Sequence, residues 1–330
     1  MGDTGVLVTG ASGRVGRRAV ARLAEAGYRV LAHDLYPVEH PAVVTSVLGQ
    51  LSDIDDELLR GVDSIVHLAA VQSWDDARAE EVMTANVMGT FHLLRAAVTA
   101  GVRRVVFASS GEVYPETAPR CMPIDESHPR LPTNHYGLSK VIGEEMLSYY
   151  RRRYGVETVI LRLCHVLDPA EILDPDAEGE GPRRFFLHQR LRHEEARGDQ
   201  QRVALLRSLR NGPHQLIAVR HSEGRPARMG ILAPQDIAVA LQLAIETPDA
   251  DGETLGVGPD ESVDLVEFAH QLGAATGLPV VDVTLPGPDV DYWTLNCRAR
   301  EVLGFRPEIT YNRMVELAAE AWRARIGGAT

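Results

Sequence analysis

A short apolar run, Val6-Leu7-Val8-Thr9, passes without a break into Gly10-Ala11-Ser12-Gly13-Arg14-Val15-Gly16, after which apolar Val15, Ala19, Val20 and Leu23 recur at helical spacing until Gly27. The pattern predicts strand, glycine turn and helix in immediate succession, the opening unit of a parallel α/β sheet. Such glycines let backbone amides at a helix N-terminus approach a pyrophosphate, where the helix dipole adds its field. Gly10, Ser12, Gly13, Arg14, Val15 and Gly16 are therefore candidate cofactor contacts, although the same spacing also serves a purely structural turn.

The next apolar run, Arg29 to His33, ends at Asp34. A carboxylate there can accept hydrogen bonds from the adenosine ribose hydroxyls and would repel a 2′-phosphate, which favours NAD over NADP; nearby Arg14 could instead hold such a phosphate. Further strands are expected around Val43 to Leu48, Ser64 to Ala70 and Arg104 to Ala108, and a long amphipathic helix carrying Asn86 over Asp75 to Ala100. Strands alternating with helices predict a doubly wound parallel sheet, a Rossmann fold, with ligands outside the carboxyl ends of its strands. Gln50, Leu51, Leu68, Ala69, Ala70, Asn86 and Cys164 complete the expected cofactor set, and the small side chains at 69 and 70 leave room for it.

Composition narrows the partners. A formal charge of -12 argues against nucleic acid or an acidic membrane. Cys121, Cys164 and Cys297 are widely spaced and lack metal-ligand spacing, so they read as free thiols, with no metal site. No apolar run approaches a membrane span, and a strand at residues 5 to 9 leaves no room for a signal peptide. The cytoplasm is the expected location.

Lys140 is the single lysine among 34 basic residues, and Tyr136 lies four positions before it on one face of a predicted helix. A flexible ammonium can reach beside a phenol and a ribose together, which a planar guanidinium does badly. Ser110 ends the fifth strand at the same sheet edge.

Thr9 to Gly16, Asp34, His67-Leu68-Ala69-Ala70, Asn86-Val87-Met88-Gly89-Thr90, Ser109-Ser110-Gly111-Glu112-Val113-Tyr114 and the Tyr136/Lys140 pair together resemble the extended short-chain dehydrogenase/reductases, more narrowly the NAD-dependent epimerase/dehydratase family. The resemblance implies NAD as cofactor and a sugar or sugar nucleotide as substrate. It implies Tyr136 as a base whose phenolate is favoured by Lys140 and the nicotinamide, Ser110 as a hydrogen-bond donor to the reacting oxygen, and Lys140 as a holder of the nicotinamide ribose. Asn86, as the family's matching residue, would support the site.

Departures from the family pattern bear on the substrate. Dehydratases of the family usually carry an acidic pair after the serine or threonine, whereas Gly111 has no side chain and leaves Glu112, a candidate acid or base or else a salt-bridged glutamate. Where relatives acting on sugar nucleotides usually have asparagine and glycine, this chain has His165 and Asp168, which favours a smaller sugar or a sugar acid. His165, Gly111 and Arg228 join Ser110 and Glu112 as candidate substrate contacts. Arg183, Arg184, His188, Arg190, Arg192 and His193 form either a patch for an anionic substrate or a solvated helix paired with Glu194 and Glu195.

The expected domains are 1-164 with 234-260 for NAD and, interleaved with them, a smaller C-terminal substrate lobe of 165-233 with 261-330, the site falling in the cleft between. A homodimer is expected through the helices at 75-100 and 136-154, as in the family. The leading expectation is a sugar or sugar-nucleotide epimerase working by transient oxidation. The alternatives are a dehydrogenase of a free sugar or uronate that releases NADH, and a cofactor-binding regulatory protein without turnover.

Overall fold

The computed structural model describes residues 4–38, 40, 43–115, 119–177, 180–287, 289 and 291–327. They form two compact units, Met1–Cys164 with Pro234–Asp260 and Thr294–Arg306, and His165–Ala233 with Glu261–Trp293 and Pro307–Thr330. The segment 294–306, expected in the small lobe, packs with the first unit because Asn296 Nδ2 donates to Gly258 O at 3.0 Å and to Asp260 Oδ1 at 2.8 Å.

The first unit is built on a seven-stranded sheet. Its strands are β1 (Gly5–Thr9), β2 (Arg29–Asp34), β3 (Val43–Leu48), β4 (Val62–His67), β5 (Arg104–Ser110), β6 (Glu157–Leu163) and β7 (Thr254–Val257). The order is β3-β2-β1-β4-β5-β6-β7, and every pairing is parallel. The expected doubly wound sheet is present. All five residues of β1 are buried, as a central parallel strand covered on both faces requires.

Helix α1 (Arg14–Glu25) follows the glycine turn and buries Gly16, Ala19, Val20 and Leu23. The stretch expected as one helix over 75–100 is instead a 3₁₀ turn at Asp76–Arg78, α2 (Ala79–Met83), a π turn at Thr84–Met88 and α3 (Gly89–Ala100). The widened turn carries Asn86, consistent with the tendency of π turns to mark functional positions. Helix α4 (His135–Tyr154) bears Tyr136 and Lys140, both buried. Helix α5 (Pro234–Glu246) returns to pack on α1.

One buried cation secures that return. Arg104, 1 % exposed in β5, donates through Nη1 to the carbonyls of Ala244, Ile245 and Thr247 at 2.8, 3.1 and 2.6 Å, and through Nε to Glu157 at 2.8 Å. It caps the C-terminal end of α5, where carbonyls otherwise lack partners.

The second unit pairs Leu216–Arg220 with Val280–Thr284 in parallel and Arg228–Met229 with Val263–Asp264 antiparallel. Its core gathers Phe185, Phe186, Phe268, Met314 and Trp322.

Arg104→Met should lower stability by about 3 kcal/mol, because buried carbonyls lose their donor. Arg103→Met, at a side chain 43% exposed, should cost less than about 1 kcal/mol. Urea unfolding of the two variants side by side checks the contrast.

Candidate active site

The glycine turn and the end of β2 meet at Asp34. Ser12 N donates to Asp34 Oδ2 at 2.8 Å, and Leu35 N and Tyr36 N donate to Oδ1 at 2.7 and 3.3 Å. The carboxylate therefore braces the turn from the position where a ribose would lie. Gly10 has φ +70°, and a Cβ there would stand 2.6 Å from Ala69 N, so only glycine lets the turn close on the end of β4. The N-cap of α1, Gly13, supplies no side chain to cover the first amides of the helix. A narrow backbone cradle with an uncapped helix N-terminus and a carboxylate at its rim fits a dinucleotide.

The other cofactor candidates fall at the ends of strands. Gln50 and Leu51 follow β3, where Gln50 N donates to Asp53 Oδ2 at 2.8 Å and Leu51 packs beneath Gly89. Leu68, Ala69 and Ala70 follow β4, with Leu68 N bonded to Thr9 O at 3.1 Å. Cys164 follows β6, its amide bonded to Val257 O at 3.0 Å. Arg14 and Val15, half-buried, open α1.

Asn86 is held on three sides. Its Oδ1 accepts from Val71 N at 2.7 Å, while Nδ2 donates to Val71 O and to Ser139 Oγ, both at 3.0 Å. Ser139 Oγ in turn donates to Tyr136 O at 2.7 Å. The amide thus ties the segment after β4 to the helix carrying Tyr136 and Lys140. Behind it, Thr9 Oγ1, His67 and Thr90 Oγ1 form a buried chain with contacts of 2.7 and 2.9 Å. Burial, with help from Lys140, pushes the His67 ring down to about 3, so it is neutral at ordinary pH.

Ser110, Glu112, Tyr136 and Lys140 come together at the end of β5 and the start of α4. A Cβ at Gly137 would lie 2.2 Å from Glu112 O, so glycine beside Tyr136 lets the first turn of α4 seat directly on the 110–112 turn. The Ser110 hydroxyl accepts from Glu112 N at 3.1 Å at the end of β5. Lys140 Nζ donates to Ala108 O at 2.8 Å and stands 5.6 Å from the centre of the Tyr136 ring and 4.9 Å from that of Phe107. Burial pulls Lys140 down to about 8, with Glu144 opposing. Burial and then the Glu112 carboxylate push Tyr136 well above the usual phenol range, with Ser110 opposing. In the chain by itself the phenol is thus harder to ionise than a free one.

Glu112 is 6 % exposed, and its oxygens accept from Trp74 Nε1 at 3.0 Å and Asn134 Nδ2 at 2.6 Å. Asn134 is also the N-cap of α4, accepting from Gly137 N at 2.7 Å. A second buried carboxylate, Glu144, lies one turn beyond Lys140 and binds Arg162 through both oxygens at 2.9 and 2.8 Å, and Ser109 Oγ at 2.6 Å. Trp74, Asn134, Glu144 and Arg162 have no place in the sequence expectations. Only Asn134, a capping residue just before α4, carries a local signal.

His165 and Arg228 belong to the second unit. His165 packs its ring 5.2 Å from that of Tyr292, and Arg228 lies over Trp293 at 5.8 Å. Asp168 caps the short helix Pro169–Ile172 by accepting from Ala170 N at 3.0 Å. In the basic segment Arg190 is buried, paired with Glu194 at 2.7 Å and Asp289 at 2.8 Å, while burial and then Arg183 and Arg190 push His193 down to about 4. Arg190 therefore belongs to an internal ion cluster, contrary to a wholly outward anion patch.

Residues 6–258 match the NAD dependent epimerase/dehydratase family. A uronate dehydrogenase of Pseudomonas syringae pv. tomato is 37% identical over 166 residues, 48% of this chain and 58% of its own, so the chain spans less than two thirds of that relative. A UDP-glucose 4-epimerase of Halalkalibacterium halodurans is 29% identical over 96% of this chain and 94% of its own. The solved structure of a short-chain dehydrogenase/reductase superfamily protein from Agrobacterium tumefaciens with bound NAD is 42% identical, covers 98% of this chain and 99% of its own, and superposes with a TM-score of 0.92. The strand order, the glycine cradle and the buried Tyr136/Lys140 helix accord with these matches, and the chain belongs to the NAD-dependent epimerase/dehydratase family, an enzyme of the short-chain dehydrogenase/reductase type with NAD as its cofactor.

Proposed function

We propose that this protein is a sugar epimerase that oxidises its substrate transiently, with Tyr136 as the base and Ser110 and Lys140 assisting. The observation that carries this is the burial of Tyr136 and Lys140 on one turn of α4, with Lys140 Nζ 5.6 Å from the centre of the phenol ring and half-buried Ser110 at the end of β5. NAD, when bound, supplies the acceptor for the carbon-bound hydrogen and a cationic ring near the phenol. Tyr136 takes the hydroxyl proton of the sugar and returns it after the carbon is reset. Ser110 donates a hydrogen bond to the same oxygen and steadies its developing charge. Lys140 adds a positive charge that favours the phenolate and holds the nicotinamide ribose. Asn86 keeps the helix carrying both residues in register with the cradle.

In the same proposal the cradle of Gly10 to Gly16, Asp34 and the strand-end residues binds NAD, and His165 and Arg228 are substrate contacts. Glu112 and Gly111 line the reacting end. The second reading, a dehydrogenase of a free sugar or uronate that releases NADH, is supported by the 37% match to a uronate dehydrogenase and by His165 in place of the family's usual asparagine. We further propose a homodimer, supported by the exposed apolar Met88, Leu138 and Tyr149 on the π turn and α4. A cytoplasmic location is supported by the three cysteines, none of which is in a disulfide; among the described residues no helix is long and apolar enough to cross a membrane.

Incubation with NAD and a panel of sugars, sugar acids and sugar nucleotides should yield an isomer without net NADH, read by NMR and absorbance together; stoichiometric NADH would instead establish the dehydrogenase. Tyr136→Phe should reduce turnover by about 10³-fold while NAD binding persists. Lys140 should lose its proton as pH rises through about 8 in the cofactor-free chain. Because it is the single lysine, ¹⁵N-lysine labelling places one ε-amine signal in the NMR spectrum, and a midpoint at the ordinary 10.5 would contradict its burial. Sedimentation should give twice 36.1 kDa, and Tyr149→Arg should shift the protein toward monomer.

A further inference from the structure

We propose that Trp74 is a positioning residue for Tyr136: with Asn134 it clamps the Glu112 carboxylate beside the phenol as a fixed anion, and the clamp sets the pH at which Tyr136 can act. This inference rests on Tyr136 being the base.

The geometry is specific. Glu112 is buried, so its charge must be met by donors, and each oxygen has one: Trp74 Nε1 on Oε1 at 3.0 Å and Asn134 Nδ2 on Oε2 at 2.6 Å. Two N–H donors favour the ionised form of a carboxyl that burial alone would neutralise. Its backbone is pinned as well, Glu112 N donating to Ser110 Oγ at 3.1 Å while Gly137 packs on Glu112 O. Asn134 cannot turn away without giving up its cap on α4. Trp74 remains 41% exposed, so burial alone does not set its orientation; its indole nitrogen is committed to Glu112 and its ring lies 6.4 Å from that of Tyr136.

The other charges around the phenol do not substitute for Glu112. On α4, Lys140 faces the ring, Glu144 is engaged by Arg162 and Ser109, and His135 pairs with Asp76 at 3.1 Å. From the segment after β4, Asp75 is turned to the Ala77 amide, and in β4 His67 is neutral. Glu112 is the neighbouring charge that raises Tyr136. A carboxyl kept ionised by two donors also carries no proton to give, which separates this role from that of an acid for elimination.

The test follows the pH dependence of kcat/KM and, without substrate, the phenolate absorbance of NAD-loaded protein after subtraction of the Tyr136→Phe spectrum. Glu112→Gln should move both midpoints down by about 1 pH unit. Trp74→Phe keeps an aromatic ring but removes the donor, freeing the carboxylate to turn to solvent; it should move them down by less, and should add nothing in the Glu112→Gln background. Asn134→Ser, which retains the helix cap, should act as Trp74→Phe does. Unchanged midpoints, or an equal effect of Trp74→Phe in both backgrounds, would overturn the clamp. If Tyr136→Phe retains turnover, the base assignment fails, while the absorbance titration still decides whether Trp74 acts on the phenol through Glu112.

Discussion

The site depends on a single buried amide. Asn86 engages both ends of its side chain on Val71 and Ser139, and so fixes the separation between the end of β4, which closes the glycine turn, and the first turns of α4, which carry Tyr136 and Lys140. A buried amide with any end unpaired would cost on the order of 1–3 kcal/mol, so this arrangement has little freedom to drift. The π turn at Thr84–Met88 belongs to the same constraint. It widens the helix at the residue whose side chain is fully employed outside the helix.

Around this brace the site balances charge under deep burial. Lys140 stands 3 % exposed with a backbone carbonyl as its hydrogen-bond acceptor, and burial draws it down while Glu144 holds it up. Tyr136 is pushed up by burial and Glu112 and drawn back by Ser110. Opposed influences of this kind leave both groups sensitive to whatever charge is placed beside them.

Much of this was legible in the sequence, for identifiable reasons. The sheet followed from apolar runs such as Val6 to Thr9 and Arg104 to Ala108, whose burial on both faces leaves a local signal. The Tyr136/Lys140 pair followed from helical spacing. Trp74 and Glu112 are 38 positions apart, and Arg162 and Glu144 are 18 apart in different elements, so their contacts have no periodic signature. The π turn was invisible because amphipathic spacing over 75–100 reads as one α-helix. Arg190 looked solvent-bound by composition; its commitment to Glu194 and Asp289 depends on a carboxylate 99 residues away. Segment 294–306 carries no local sign that its Asn296 reaches Gly258 and Asp260.

Arg104 has a consequence for how the protein is made. Its guanidinium sits in the fifth strand, yet four of its acceptors, at Ala244, Ile245, Thr247 and Pro248, lie some 140 residues later, beyond a whole segment of the other unit. A nascent chain emerging from the ribosome reaches the fifth strand long before those carbonyls exist. Until they arrive, closing the sheet would bury a cation with only Glu157 to meet it, a cost that disfavours the final packing of the N-terminal half during synthesis. Completion of the first unit therefore waits for the intervening segment to be translated, which couples the biogenesis of the two units even though their cores are separate.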